Sequence, residues 1–458
     1  MSRPGLLHSA RRIAPLAWPV FVGQLAVLAF STIDTMMVAR YAALDLAALA
    51  IGIAIYITVF VGGMGVVMAI GPITGQLFGA RKLPEAGMQL QQAAWLAAGI
   101  SVLGCCLLLM PGAFLDLAQA SPEVADKVRS YLRGLAFALP PALAFAAFRG
   151  FNVSISRPKA VMALQLGGLA LKVPLNALLV FGSSDLHLPA LGAAGCGIAT
   201  AIAMWCKSMC ALYVLRHDPF YAPFALPTRG IARPHRASLV GLLRLGLPMG
   251  MSLLIEVSGF TFMAIFIARL GATAVAGHQI AANLVSVMFM LPLAIANAAT
   301  TLVAQSLGAD DKADAQRLGW HGLSLGVLIA ALTGLALYLS RHTVLRAYTH
   351  DPVIIAAALP LIAWAAVFHV ADAAQTIGSF VLRAYHLAVA PMVIYAFAIW
   401  GVGLGGGFVV AFDRTGFTPA SLLGAQGFWS AATAGLALSA SCLALFTAWM
   451  LRQKNRPA

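Results

Sequence analysis

The chain has 458 residues, of which 61% are hydrophobic and only 10% charged, with a mean hydropathy of +0.89. A soluble domain carries roughly 25% charged residues, so this chain cannot cover a water-facing surface and its solvent is lipid. The net charge of +14 does not indicate nucleic-acid binding, because the basic residues lie between apolar runs, where they set orientation, and there is neither an RNP-like motif nor a basic helix interleaved with aromatics.

Crossing the hydrocarbon takes about 20 apolar residues. By that measure the sequence predicts an all-α integral membrane protein with twelve spans. They lie near 13–38, 46–70, 91–111, 131–150, 160–181, 190–215, 240–268, 275–300, 320–340, 353–380, 390–412 and 424–451. The first run follows Arg11 and Arg12 and is too long for the apolar core of a cleavable signal peptide, so it is expected to remain as a helix. Pro72, Pro174 and Pro292 fall in or beside spans, where neighbouring helices re-satisfy the freed carbonyls. The six cysteines, Cys105, Cys106, Cys196, Cys206, Cys210 and Cys442, lie in apolar stretches without zinc-site spacing and read as small buried hydrophobes.

An even number of spans puts both termini on one side. Of the 29 Lys and Arg, 19 fall on the terminal side, Arg149 and Arg383 among them, and 8 on the other, with Lys172 and Lys207 inside spans. Both termini are therefore expected to be cytoplasmic. The longest polar connection, Arg216 to Ser238, is rich in Pro and Arg and reads as a surface linker. It divides the chain into an N-terminal lobe (1–215), a cytoplasmic linker (216–238) and a C-terminal lobe (239–458).

The two halves repeat. A shift of 229 residues needs no gap from 19 to 86: Pro19 meets Pro248, Arg40 meets Arg269, and Gln76, Gly79 and Ala80 meet Gln305, Gly308 and Ala309. After an indel, Arg149 corresponds to Arg383. Six spans per half give both halves the same orientation. The predicted fold is thus two six-helix bundles related by a pseudo-twofold axis along the membrane normal, with the substrate path between them.

The acids are not repeated: Glu256 aligns with Val27, and Asp34 with Met263. An ionised carboxylate in hydrocarbon costs several kcal/mol, which makes each of these a candidate functional group. Asp34 lies six residues before Arg40, about 9 Å below the interface at ~1.5 Å per residue; it is either an ion-coupling group or a shallow acid paired with Arg40. Glu256 sits midway along span 7, PMGMSLLIEVSGFTFMAIFIAR, with a structural hydrogen bond as the alternative. Asp372 in span 10 shares a helix face with His369 and Gln375. Two converging acids resist being ionised together, so Glu256 and Asp372 can hold a proton or a monovalent cation between them.

In the first half, Lys172 and Asn176 on span 5 and Cys196 and Thr200 on span 6 are placed to frame Asp34. Alternatively, Lys172 neutralises it. Lys207, nearer the span end, is expected to snorkel. His278 reads as a satisfied interfacial histidine, with a pH-sensing role open. Met36, Met37, Met263, Phe289 and Met290 are candidate cavity-lining residues, each with plain helix packing as the alternative. GxxxxGK[ST] and HExxH are absent, so the chain is read as neither an ATP-driven motor nor an enzyme, and its energy must come from an ion gradient.

These motifs resemble the multidrug and toxic compound extrusion family, and within it the NorM-type branch, over nearly all twelve spans. The resemblance rests on DTMMVAR, QLFGA and QSLGA, VPLNALLVFG, LGAAGCGIAT, GHQIAANL and DAAQTIGSFVLRAY, and on the pairing of Glu256 with Asp372. It implies a monomeric secondary antiporter of the bacterial inner membrane, exporting organic, mainly cationic and amphipathic drugs in exchange for H⁺ or Na⁺, with no other cofactor. By carry-over, Glu256 and Asp372 form the cation site, which can take Na⁺, and Asp34 is a proton or ion site with Asn176 and Thr200 nearby. Gln279, Asn283, Phe289, Met263, Phe368 and Gln375 are further candidates for the substrate cavity. Three positions depart from the family pattern. Val180 stands where some members have Asp, Phe368 where Tyr is frequent, and Gly405 where Pro is frequent. The shortage of oxygen ligands tilts the reading toward H⁺. The alternative is a flippase of lipid-linked oligosaccharides or polyisoprenoids from the same superfamily. Those cavities usually present arginine clusters, whereas the interior charges here are mostly acidic.

Overall fold

The computed structural model describes residues 5–184, 187–226, 232–414 and 416–454. Arg3, Arg229 and Arg456, counted above for orientation, lie outside the described residues. Twelve helices are long and apolar enough to cross a membrane. In chain order they are α1 (Leu6–Tyr41), α2 (Ala43–Gly79), α3 (Leu83–Leu109), α4 (Pro122–Ser154), α5 (Pro158–Phe181) and α6 (Gly192–His217), then α7 (Arg236–Ala268), α8 (Ala272–Gly308), α9 (Lys312–Tyr348), α10 (Pro352–Ala384), α11 (Val389–Ala411) and α12 (Ala425–Lys454). All twelve expected spans are present. Several helices overrun the expected limits: α8 and α9 have 37 residues each, about 55 Å at ~1.5 Å per residue, against a hydrocarbon core of about 30 Å.

Helices are the local answer here because lipid offers nothing to an unpaired peptide group, so each span satisfies its own backbone. Two departures follow from the residues. Helix α2 loosens at Met68 and Ala69, where Ala69 N–H bonds Val66 O at 3.3 Å, just before Gly71 and Pro72. Helix α11 widens to an i→i+5 helix over Phe397–Gly406, in the run FAIWGVGLGG. Such stretches are rare. A close neighbour accompanies this one, since a Cβ on Gly435 of α12 would lie 2.4 Å from Ala398 O.

The chain forms two compact units, one of Met1–Phe21 with Met251–Ala458 and the other of Val22–Gly250. The change-over therefore falls inside α1 and α7, whereas the sequence placed it in the 216–238 linker. The two break points, after Phe21 and after Gly250, are one repeat length of 229 residues apart. Contacts explain both. Ile13 and Ala17 of α1 are buried among Ala294, Ala298 and Val303 of α8, and Arg12 holds Asp314 of α9 at 2.9 Å. In the other unit, α7 lies so close to α2 that a Cβ on Gly246 would sit 2.3 Å from Val66 O and one on Gly250 2.6 Å from Gly62 O. Small residues permit that approach.

The linker is less detached than its composition predicts. Pro219–Phe224 forms a 3₁₀ turn with Tyr221 and Phe224 buried. Trp95 donates to Ala232 O at 2.8 Å, and Gln92 donates to Arg233 O at 3.0 Å. The cysteine reading needs correction: among the six only Cys196 is buried, while Cys106, Cys206 and Cys210 are exposed on helices whose outer faces meet lipid.

Candidate functional site

In the Val22–Gly250 unit, Asp34 is drawn into a closed cluster. Helix α1 carries it inward at 5% exposure, and α5 brings Lys172, 1% exposed, to meet it. Lys172 Nζ donates to Asp34 Oδ2 at 2.6 Å, and Asn176 Nδ2 donates to Oδ1 at 2.6 Å. The ammonium also lies 3.5 Å from the centre of the Phe30 ring. The Cys196 thiol of α6 lies within electrostatic reach of Asp34, while Thr200 turns back to Cys196 O at 2.9 Å. The i, i+4 spacing of Lys172 and Asn176 brings both to one carboxylate. Of the alternatives left open for Asp34, a basic partner is the one observed, and it is Lys172, not Arg40.

The Met251–Ala458 portion of the other unit holds its acids differently. Glu256 is half-buried on α7 and Asp372 is buried on α10. The two interact electrostatically, and Tyr395 of α11, also buried, interacts with both. Arg383 is within electrostatic reach of Glu256. Among the described residues, however, neither acid has a basic group at ion-pair distance. The guanidinium of Arg383 instead stacks 4.0 Å from the Phe380 ring centre. The Thr376 side chain lies one turn from Asp372, on the same helix and near its carboxyl. Two carboxylates and a hydroxyl are oxygen donors of the kind a hard monovalent cation accepts.

The remaining candidates separate. Met263 and Phe368 are packed in an aromatic core with Trp429 and Phe428; the Phe368 ring lies 5.9 Å from Phe260 and 5.4 Å from Trp429. They pack in this core and supply no oxygen. Gln375 is buried and accepts from Thr376 at 3.3 Å. His369, on the same helix, turns to Thr333 of α9 at 3.1 Å. Gln279 and Asn283 are exposed, and Asn283 accepts from Tyr348 at 2.7 Å. Phe289 is half-buried. His278 is buried and accepts from Trp429 Nε1 at 3.3 Å, so its ring is satisfied within the protein. The Lys207 ammonium lies 4.2 Å from the Phe145 ring centre.

Sequence reasoning missed several partners. Arg149, counted as a flanking charge, lies half-buried within α4, and Arg383 is buried in the last turn of α10. Arg149 contacts Gln24 at 3.5 Å and Met64 Sδ at 3.4 Å. The signal was available: both arginines stand in otherwise apolar helical runs, FRGF and VLRA. Asp45 was also overlooked. It is 2% exposed, pairs with Lys127 at 2.8 Å and accepts from Ala193 N–H at 2.9 Å, capping α6.

Twelve membrane helices in two repeated halves, with unpaired acids inside one of them, define a multi-pass membrane transporter and not an enzyme. The MatE family profile matches residues 19–178 and 248–409, two segments whose starts are one repeat length apart. A protein described as a probable multidrug resistance protein NorM from Aromatoleum aromaticum is 40% identical over 97% of this chain and 94% of its own length. One with the same description from Chromobacterium violaceum is 36% identical over 99% of this chain and 96% of its own. The bent form of the Vibrio cholerae MATE transporter VcmN shares the fold, with a TM-score of 0.85 at 17% identity over 98% of both chains. The chain belongs to the MatE family.

Proposed function

We propose that this protein is a secondary antiporter that exports organic cations and other amphipathic drugs from the bacterial cytoplasm or inner leaflet, with H⁺ or Na⁺ entering in exchange. The observation that carries this reading is the acid pair Glu256 and Asp372, held inside a membrane-spanning unit without a basic partner. Charge kept there must be satisfied by something that comes and goes. Drug and ion competing for the same carboxylates give exchange: the arriving ion neutralises the acids and releases the cargo. The relatives named as multidrug resistance proteins support the cargo class.

Proton coupling is favoured over sodium because Phe368 offers no hydroxyl beside Asp372. The ion gradient supplies about 2.3 kcal/mol per charge per 100 mV and about 1.4 kcal/mol per pH unit. The charge bias of the loops supports termini in the cytoplasm, and a monomer in the bilayer is the expected working unit. Efflux from proteoliposomes under separately imposed pH and Na⁺ gradients tests the reading. Drug-dependent proton movement under a pH gradient alone supports H⁺ exchange, drive by Na⁺ alone replaces it with Na⁺ exchange, and efflux indifferent to both overturns antiport.

A further inference from the structure

The buried cluster around Asp34 has the donor set of an ion site. Both Asp34 oxygens are engaged, one by Lys172 and one by Asn176. The Asn176 carbonyl oxygen Oδ1, on a fully buried side chain, has no hydrogen-bond partner. An orphaned buried acceptor is costly, and one standing beside a carboxylate is a ligand position left over. The Cys196 thiol on α6 and the Tyr131 phenol on α4 are within electrostatic reach of Asp34, and the Phe30 ring of its own helix packs on the Lys172 ammonium. Among the described residues the cation at ion-pair distance from Asp34 is the Lys172 ammonium, 2.6 Å from the carboxylate and against the Phe30 face.

We propose that Lys172 is a tethered counter-ion: its ammonium occupies the cation position at Asp34, so that the Val22–Gly250 unit exchanges no ion and the coupling stoichiometry is set by Glu256 and Asp372 alone. The inference rests on the antiport reading and deepens it. Lys172 thereby becomes a specificity-determining residue for ion number. With the ammonium removed, Asp34 and the free Asn176 oxygen form a site for a travelling proton or monovalent cation.

The test uses the full chain in proteoliposomes, ethidium as cargo, the membrane potential clamped at zero, and a tenfold gradient of H⁺ or Na⁺ imposed in turn. The quantity read is the ethidium gradient at which net flux reverses. At zero potential each further coupled ion multiplies that gradient by about ten, the equivalent of ~1.4 kcal/mol. Lys172→Met is expected to raise it about tenfold over wild type; an unchanged value overturns the proposal. If Lys172→Met does not fold, the pair-deleted variant Asp34→Asn/Lys172→Met decides, because removing both charges avoids stranding one. It is expected to reverse at the wild-type gradient, and a roughly tenfold fall would mean that Asp34 carries an ion in the native protein, overturning the proposal. Glu256→Gln is run beside them. If it uncouples while Lys172→Met shows no gain, only this inference falls. If Glu256→Gln stays fully coupled, the assignment of coupling to Glu256 and Asp372 falls, and if the wild type itself is indifferent to both gradients, the antiport reading falls.

Discussion

The two halves of this transporter contain the same helices and treat their acids in opposite ways. In the Val22–Gly250 unit, Asp34 is locked by Lys172 and Asn176 at 2.6 Å each. In the other unit, Glu256 and Asp372 lie within electrostatic reach of each other, with Arg383 within reach of Glu256 but stacked on Phe380. A duplicated backbone has thus been given one closed and one open carboxylate site. Burial alone does not make an acid available for exchange; what matters is whether its counter-charge is covalently part of the chain. One site can serve as a fixed strut between α1 and α5, the other as a place where charge must be supplied from outside.

The comparison can be broken most severely at the open site. Glu256→Gln and Asp372→Asn are each expected to abolish gradient-driven efflux, down to the leak rate of empty liposomes, while leaving thermal stability equal or higher, since no partner is stranded. A large loss of melting temperature in detergent would instead assign these acids a structural role. At the closed site the order reverses. Lys172→Ala leaves Asp34 buried and unpaired, and breaking one side of a buried pair costs about 3–5 kcal/mol. The melting transition should fall markedly, and Asp34→Asn/Lys172→Met should restore most of it. Equal stability of the single and double variants would remove the lock.

A middle-sized effect is expected beside the open site. Trp429→Ala removes a fully buried ring that touches Phe368 and His278. Such a deletion costs about 3–5 kcal/mol in a soluble core, and less where lipid already surrounds the helices. Both stability and coupling should drop, because Phe368 stands one turn before Asp372.

The smallest effect belongs to an acid outside the membrane. Asp218 lies in the linker, where the Phe220 N–H and the Arg157 guanidinium hold its carboxyl below the usual carboxylate range. A lowered value in the folded state means that its stabilisation is present at neutral pH and is lost as the pH falls through that lowered value. Asp218→Asn should therefore lower stability slightly at pH 7 and leave it unchanged at a pH below that lowered value, which flattens the acid limb. An unchanged acid limb would show that this exposed pair contributes nothing, as surface pairs frequently do not.

Most of the architecture was readable from the chain because membrane spans are set by a single variable, the length of an apolar run, and the 229-residue repeat fixed their relation. The acids were equally visible, since a carboxylate in LLIEVSG or HVADAAQ stands out against its surroundings. Their partners were not. Whether Lys172 meets Asp34 depends on how α1 and α5 are rotated against each other, and no single-helix pattern contains that rotation. Met263 and Phe368 misled for the same reason: an apolar side chain looks alike whether it lines a cavity or packs on Trp429. The unit boundaries were hidden because Gly246 and Gly250 lie within an unbroken helix, and only the neighbour at 2.3 Å to 2.6 Å from their added Cβ positions reveals that the start of α7 belongs with α2.

The most direct measurement separates exchange from energisation. Proteoliposomes with ethidium on both sides are assayed for tracer ethidium exchange at equilibrium, and in parallel for net uphill movement driven by an imposed H⁺ or Na⁺ gradient. Asp372→Asn and Glu256→Gln should retain tracer exchange, proving a folded and moving protein, and lose the gradient-driven component. If either variant kept uphill transport at the wild-type extent, the coupling charge would lie elsewhere, and the contrast between the closed and open acid sites would have no bearing on how this protein works.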